Sequence, residues 1–98
     1  MLTADQLKNT DAYKKYVSPK REVVLIHSIY KSTEAFWAYL VIVKNKERNT
    51  YDLIRFFPHN YLHKNLVNIN INVSIDKTDI TSEQVFTSLI EDYTSELD

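Results

Sequence analysis

His59 and His63 are spaced four residues apart, so on a helical turn both side chains would lie on the same side and could bind a metal ion. Pro58 precedes them directly, and no third ligand accompanies them at a fixed spacing. We therefore interpret both as loop or capping residues, not as metal ligands or an acid–base pair. His27 lies among apolar neighbours and is interpreted as structural. No metal and no cofactor is expected.

The chain contains neither cysteine nor glycine. Without cysteine there are no disulfides, thiolate nucleophiles or cysteine-ligated metal sites. Without glycine the phosphate-binding loops GxGxxG and GxxxxGK[ST] are excluded, because a Cβ would block the approach of their backbone to the phosphate. No hydroxyl side chain has a base positioned by spacing, and we therefore expect a protein that is not an enzyme.

Charge is unevenly distributed along the chain. Residues 1–64 carry a net charge of +5 and residues 65–98 a net charge of −6, which together give the overall −1. The first part includes a basic cluster of Lys8, Lys14, Lys15, Lys20 and Arg21. The second includes an acidic cluster of Glu83, Glu91, Asp92 and Glu96. Each cluster has two interpretations: a solvated helix face, or a surface that contacts phosphates in the first case and a basic protein in the second.

Residues 35–43 contain no charge and are rich in β-branched and aromatic side chains, which predicts the central strand of a sheet. We expect Phe36, Leu40 and Ile42 to face the helices. The alternate positions would then form an uncovered aromatic surface, the expected partner site, with residues Trp37, Tyr39, Val41 and Arg55. Three interpretations stay open: a core covered by one helix on each face, a site for another protein or a second copy, and a stacking surface for nucleic-acid bases.

The elements that position these residues follow from the pattern of apolar residues. The chain is long enough for one domain. The pattern predicts an α+β domain with a four-stranded antiparallel meander flanked by N- and C-terminal helices, in the order α-β-β-β-β-α, with both helices on one face. The predicted helices cover about residues 4–17 and 82–97, and the predicted strands about 22–31, 35–44, 50–57 and 66–76.

Local signals support several of these elements. Thr3 and Gln6 have the spacing of a capping box, which predicts the start of the first helix. Because glycine is absent, turns that require a positive φ must use asparagine or aspartate, and Asn45, Asn49 and Asn60 lie where such turns are needed. Apolar residues at odd positions from 69 to 75 alternate with polar residues at even positions, as in a strand with one solvated face.

These observations favour a non-enzymatic protein-interaction module. The small size and the abundance of Ile, Lys and Asn suggest an inhibitor, encoded by a phage or a mobile element, of a host defence or nucleic-acid-handling protein. The alternative is a small nucleic-acid-binding domain that uses the sheet aromatics and the N-terminal lysines. No leader or membrane segment is recognised, so a cytoplasmic location is expected. A homodimer is a further expectation, because a second copy could cover the aromatic surface.

Overall fold

The computed structural model describes residues 3–17, 21–31, 36–58 and 71–97. Its elements, in chain order, are α1 (Ala4–Lys8), α2 (Asp11–Tyr16), β1 (Arg21–Lys31), β2 (Phe36–Asn45), β3 (Thr50–Pro58), β4 (Ile71–Ile80), a 3-10 turn (Glu83–Val85) and α3 (Phe86–Leu97). The predicted α+β domain, a four-stranded sheet with helices at both termini, is confirmed. No helix within these residues is both long and apolar enough to cross a membrane.

The sheet is an antiparallel meander with the strand order β1-β2-β3-β4. β2 is an interior strand, and all of its residues from Trp37 to Val43 are buried. An interior strand that is covered on both faces requires apolar residues at consecutive positions, not only at alternate ones. The uncharged run in the sequence therefore reflects a strand enclosed on all sides.

The predicted N-terminal helix over residues 4–17 is two short helices. The capping box at the start of α1 is confirmed: the Gln6 backbone N–H donates to Thr3 Oγ1 at 3.1 Å, and Gln6 Oε1 accepts from the Thr3 N–H at 2.9 Å. α1 ends because Thr10 caps α2; its hydroxyl accepts from the backbone N–H three residues on and donates to the Leu7 carbonyl oxygen. Threonine competes in this way with helix continuation.

The helices lie on opposite faces of the sheet. Leu7 of α1 and Tyr13 of α2 pack on one face, which we call the N-terminal face. Phe86 of α3 packs on the other, the C-terminal face. The expectation that both terminal helices cover one face is therefore wrong. In one straight helix Leu7 and Tyr13 would point about 120° apart, and the break at Thr10 allows both side chains to reach the same sheet face.

Irregular pairing changes which side chains share a face. β4 runs from Ile71 to Ile80, beyond the predicted end at residue 76, while residues 66–70 of the prediction lie outside the described residues. Two register shifts separate β4 from β3, and each displaces the alternation of side chains. Ile75 is consequently paired with a residue of the N-terminal core, whereas Lys77, two positions later, is paired with a residue of the C-terminal core.

The β2–β3 turn uses asparagine where glycine is common. Asn45 Oδ1 accepts from the backbone N–H groups of Glu47 and Arg48, at 3.0 and 3.3 Å. Asn49 adopts a φ of 56°, in the left-handed region that asparagine tolerates better than most residues. The expected positive φ is therefore confirmed for Asn49 and wrong for Asn45, which stabilises the turn through its side chain instead. Asn60 lies outside the described residues.

Candidate functional site

The predicted aromatic surface is covered by α1 and α2. Trp37 and Tyr39 are each 5% exposed and Val41 is fully buried, all within the N-terminal core. The Trp37 and Tyr39 rings meet edge to face with centroids 5.9 Å apart, and the Tyr13 ring lies 5.6 Å from that of Phe56. The placement of Trp37, Tyr39 and Val41 on an uncovered face is therefore wrong, because the N-terminal helices shelter that face.

Arg55 lies on the opposite, C-terminal face. It is paired across the ladder with Leu40, a residue of the C-terminal core. Its Nε is 3.2 Å from Asp76 Oδ2, and its guanidinium lies 4.8 Å from the Phe57 ring and 6.0 Å from the Tyr93 ring of α3. The expected grouping of Arg55 with Trp37 and Tyr39 is therefore also wrong. Arg55 instead connects β3 and β4 to α3.

The acidic cluster lies on α3 and on the turn before it. Glu83, Glu91 and Asp92 are exposed; Glu96 belongs to α3, and its side chain lies outside the described set. The opposite side of α3 packs on the sheet through Phe86, Leu89, Ile90 and Tyr93. No lysine, arginine or histidine follows Lys77 in the sequence. The solvent side of α3 therefore presents acidic charge only.

The basic cluster is divided. Lys8, Lys14 and Lys15 are exposed on α1 and α2, together with acidic neighbours in the first turn of each helix. Arg21 is turned inward, because its Nη1 donates to the Tyr16 carbonyl oxygen at 3.2 Å. Lys20 lies outside the described residues. Since α3 packs on the other sheet face, the exposed lysines and the acidic side chains lie on opposite sides of the molecule.

A polar cavity of about 350 Å³ lies at the end of the sheet and was not anticipated from the sequence. Asp52, the buried charged residue of the described chain, lies 3.8 Å from Arg21 Nη2 and accepts from the Asp79 backbone N–H at 3.2 Å. Arg48 lies 3.7 Å from the Asp79 carboxylate, and Asp79 itself has a φ of 57°. Each of the two arginines therefore faces an aspartate, and these ion pairs connect the strand ends around the cavity.

Three tyrosines among the described residues have raised pKa values, with different causes on the two faces. Burial raises the pKa of Tyr13 and of Tyr39 above the ordinary value of 10.0. The pKa of Tyr51 is raised chiefly by the hydrogen bond that its hydroxyl donates to Glu83 at 2.7 Å, with smaller contributions from burial and from the Glu22 charge. None of the three has the lowered pKa of a catalytic base.

The histidines and acidic residues do not assemble a metal site in the described part of the chain, where no group of three potential ligands is found. His27 is half-buried in β1, and its pairing with Leu40 places it on the C-terminal face. His59 and His63 lie outside the described residues, so their interpretation stays a prediction.

Comparisons with known proteins found no matching family model, no matching curated protein and no matching solved structure. A functional inference therefore depends on the residues of this chain. Of the surfaces considered from the sequence, the acidic side of α3 is exposed and carries acidic charge alone on the helix itself, with Lys77 of β4 lining a cavity beside Asp92.

Proposed function

We propose that the chain is a non-enzymatic protein-interaction module that docks the acidic side of α3 on a basic protein surface. The observation that carries the proposal is the placement of Glu91 and Asp92 on the exposed side of a helix without basic residues. Neither carboxylate contacts a cation among the described residues. Opposite charges on two protein surfaces accelerate association and select the orientation of docking.

The nature of the partner follows from the sign of this charge. A surface that binds nucleic acid is basic, because it must neutralise phosphates. A helix that presents carboxylates would compete for the same surface. The proposal therefore extends to an inhibitor of a nucleic-acid-handling or defence protein, encoded by a phage or a mobile element. The composition of the chain supports that origin.

The nucleic-acid-binding alternative has less support. Stacking on bases requires exposed ring faces, and the rings of Trp37 and Tyr39 are covered by α1 and α2. The exposed lysines at positions 8, 14 and 15 share their helices with Asp5 and Asp11. Phosphate contact by these lysines alone would be weak and strongly dependent on salt.

The experiment that tests the proposal compares three forms of the chain as bait for host proteins: the natural chain, the variant Glu91→Gln/Asp92→Asn and the control Lys14→Gln/Lys15→Gln. A retained protein is then purified and titrated against all three. We expect the acidic-side variant to weaken its affinity about tenfold, and added salt to weaken the binding of the natural chain. The lysine control should bind as the natural chain does.

Two results would contradict the proposal. One is a purified partner that binds the acidic-side variant as tightly as the natural chain. The other is tight binding of labelled oligonucleotides, with a steep salt dependence that disappears in the lysine control, which would establish the alternative.

A further inference from the structure

β1 is an edge strand whose middle section carries no charge, and a single bulge at Val24 interrupts it near its start. Within the described residues its one strand neighbour is β2, so half of its backbone N–H and C=O groups point away from the sheet. Residues 23–30 contain no lysine, arginine, aspartate or glutamate. Val24 and Tyr30, at 40% and 58% exposure, are two of the exposed large apolar residues of the described chain.

The other edge strand differs in this respect. β4 contains Asp76, Lys77 and Asp79 in its second half, and charged side chains on an edge oppose pairing with another chain. The two edges of one sheet are therefore unequal, and β1 is the edge that is suited to accept a further strand.

The charges at the two ends of β1 identify a strand that fits this edge. Glu22 lies at the start of β1 and Lys31 at its end. Their ladder partners on β2, Lys44 and Phe36, are both even-numbered, so the register places the two ends of β1 on the same face of the sheet. An antiparallel copy of β1 would bring an acid opposite a base at both ends of the pairing.

We propose that the chain forms a two-fold symmetric dimer in which β1 pairs antiparallel with β1 of a second copy, joining two sheets into one of eight strands. Directly opposite residues must share a face, so the two-fold axis passes through a residue of the regular segment 25–31. An axis near the middle of β1 allows most of the strand to pair with its copy. Three registers meet this condition, with the axis at Ile26, His27 or Ser28.

Only the register with its axis at His27 pairs opposite charges. Because Val24 is an extra residue at the bulge of β1, this register places Glu22 of each copy opposite Lys31 of the other. It also places the exposed Tyr30 opposite the Val23–Val24 pair of the second copy. An axis at Ile26 would place Glu22 opposite Ile29, and an axis at Ser28 would place Lys31 opposite Leu25.

The proposal is independent of the acidic side of α3, since β1 and α3 use different surfaces. It is tested by sedimentation velocity on the full chain at protein concentrations up to about 500 µM. High concentrations are needed because a strand pairing buries less area than the standard interface of about 1,600 Å² and is expected to be weak. We expect a monomer–dimer equilibrium. Lys31→Glu, which places two glutamates opposite each other at both ends, should raise the dimer dissociation constant about tenfold.

Reversal of both charges provides the decisive comparison. Exchanging the two charges, with Glu22→Lys and Lys31→Glu, should restore the dimer. The variant also carries Lys44→Glu, because Lys44 lies opposite position 22 within the same chain and would repel a lysine there. Tyr30→Lys tests the same edge at a side chain that is exposed in the monomer, so the change does not disturb the core. It should also weaken the dimer. Circular dichroism and thermal unfolding confirm that each variant is folded.

Glu91→Gln/Asp92→Asn serves as the control and should leave the dissociation constant unchanged. A natural chain that stays monomeric throughout the concentration range would overturn the proposal. A dimer that is insensitive to Lys31→Glu and to Tyr30→Lys would also overturn it, because the contact would then lie elsewhere.

Discussion

The two faces of the sheet are buried in different ways. On the N-terminal face, helices of five and six residues contribute Leu7 and Tyr13, and the sheet supplies large rings such as Trp37 and Phe56. On the C-terminal face, the twelve-residue α3 contributes Phe86 as its buried residue, with other apolar side chains half-buried. The strand side chains at the centre of both faces are nevertheless fully buried, so the difference lies in how deeply the helices themselves are buried.

The two faces also differ in what they present to solvent. α1 and α2 combine lysines with aspartates, whereas α3 presents carboxylates alone. The face whose helices are more deeply buried thus has the mixed outer surface, and the face whose helix is less deeply buried has the uniform one. A helix that is anchored by fewer buried side chains, yet carries one sign of charge, is the better candidate for contact with a partner.

The largest predicted effect compares one leucine from each face. Leu7→Ala removes a fully buried side chain and should lower the free energy of unfolding by about 3 kcal/mol. Leu89→Ala on α3 removes a half-buried side chain and should lower it by about half as much. Urea unfolding measures both, and an equal loss would show that the two faces are equally well packed.

Much of the fold could be predicted from the sequence, because its signals are local. The capping box at Thr3, the strand of apolar residues around Leu40 and the asparagine turn depend on neighbouring residues alone. The sequence pattern did not predict the break at Thr10, which divides the expected first helix in two. A threonine inside a helical pattern is compatible with continuation or with a new cap, and the choice depends on whether Leu7 and Tyr13 can both reach the sheet.

The candidate site could be predicted less well, because it depends on which face each helix covers. The acidic side of α3 was identified from the spacing of its residues, and its exposure agrees with that interpretation. The aromatic surface was misplaced because strand alternation assigns two faces without saying which one is sheltered. The pairing of Asp52 with Arg21 joins residues 31 positions apart through the register, which the sequence does not specify.

The second prediction compares the aspartate–arginine pairs that connect a helix to each face. Asp52 holds Arg21, which donates to the end of α2, and Asp76 holds Arg55, which lies near the ring of Tyr93 on α3. Asp52→Ala should cost about 2 kcal/mol, because it also leaves the backbone N–H of residue 79 without its acceptor.

Asp76→Ala is the matched variant and removes the acceptor of the Ser74 hydroxyl. It should cost about 1 kcal/mol, because a half-buried hydroxyl can turn to water, which a backbone N–H cannot do, and because Arg55 keeps its stacking on the Phe57 ring. Urea unfolding of both variants at neutral pH gives the comparison. If the loss at Asp76 exceeded the loss at Asp52, the C-terminal face would be the more dependent on its ion pair, contrary to the geometry.

The smallest predicted effect separates the faces by the ionisation of their tyrosines. A tyrosine with a raised pKa keeps its proton in the folded state after it would be lost in the unfolded chain. Its contribution to stability is therefore complete below pH 10 and is lost as the pH rises through the folded-state value.

Glu83→Gln removes the carboxylate that accepts the hydrogen bond from the Tyr51 hydroxyl, so the pKa of Tyr51 should fall towards 10.0. Tyr13 and Tyr39, on the other face, should titrate as before, because burial is the cause of their shifts. Ultraviolet absorbance of tyrosinate against pH measures the difference, and a titration curve unchanged by Glu83→Gln would show that burial, not the hydrogen bond, dominates at Tyr51 as well.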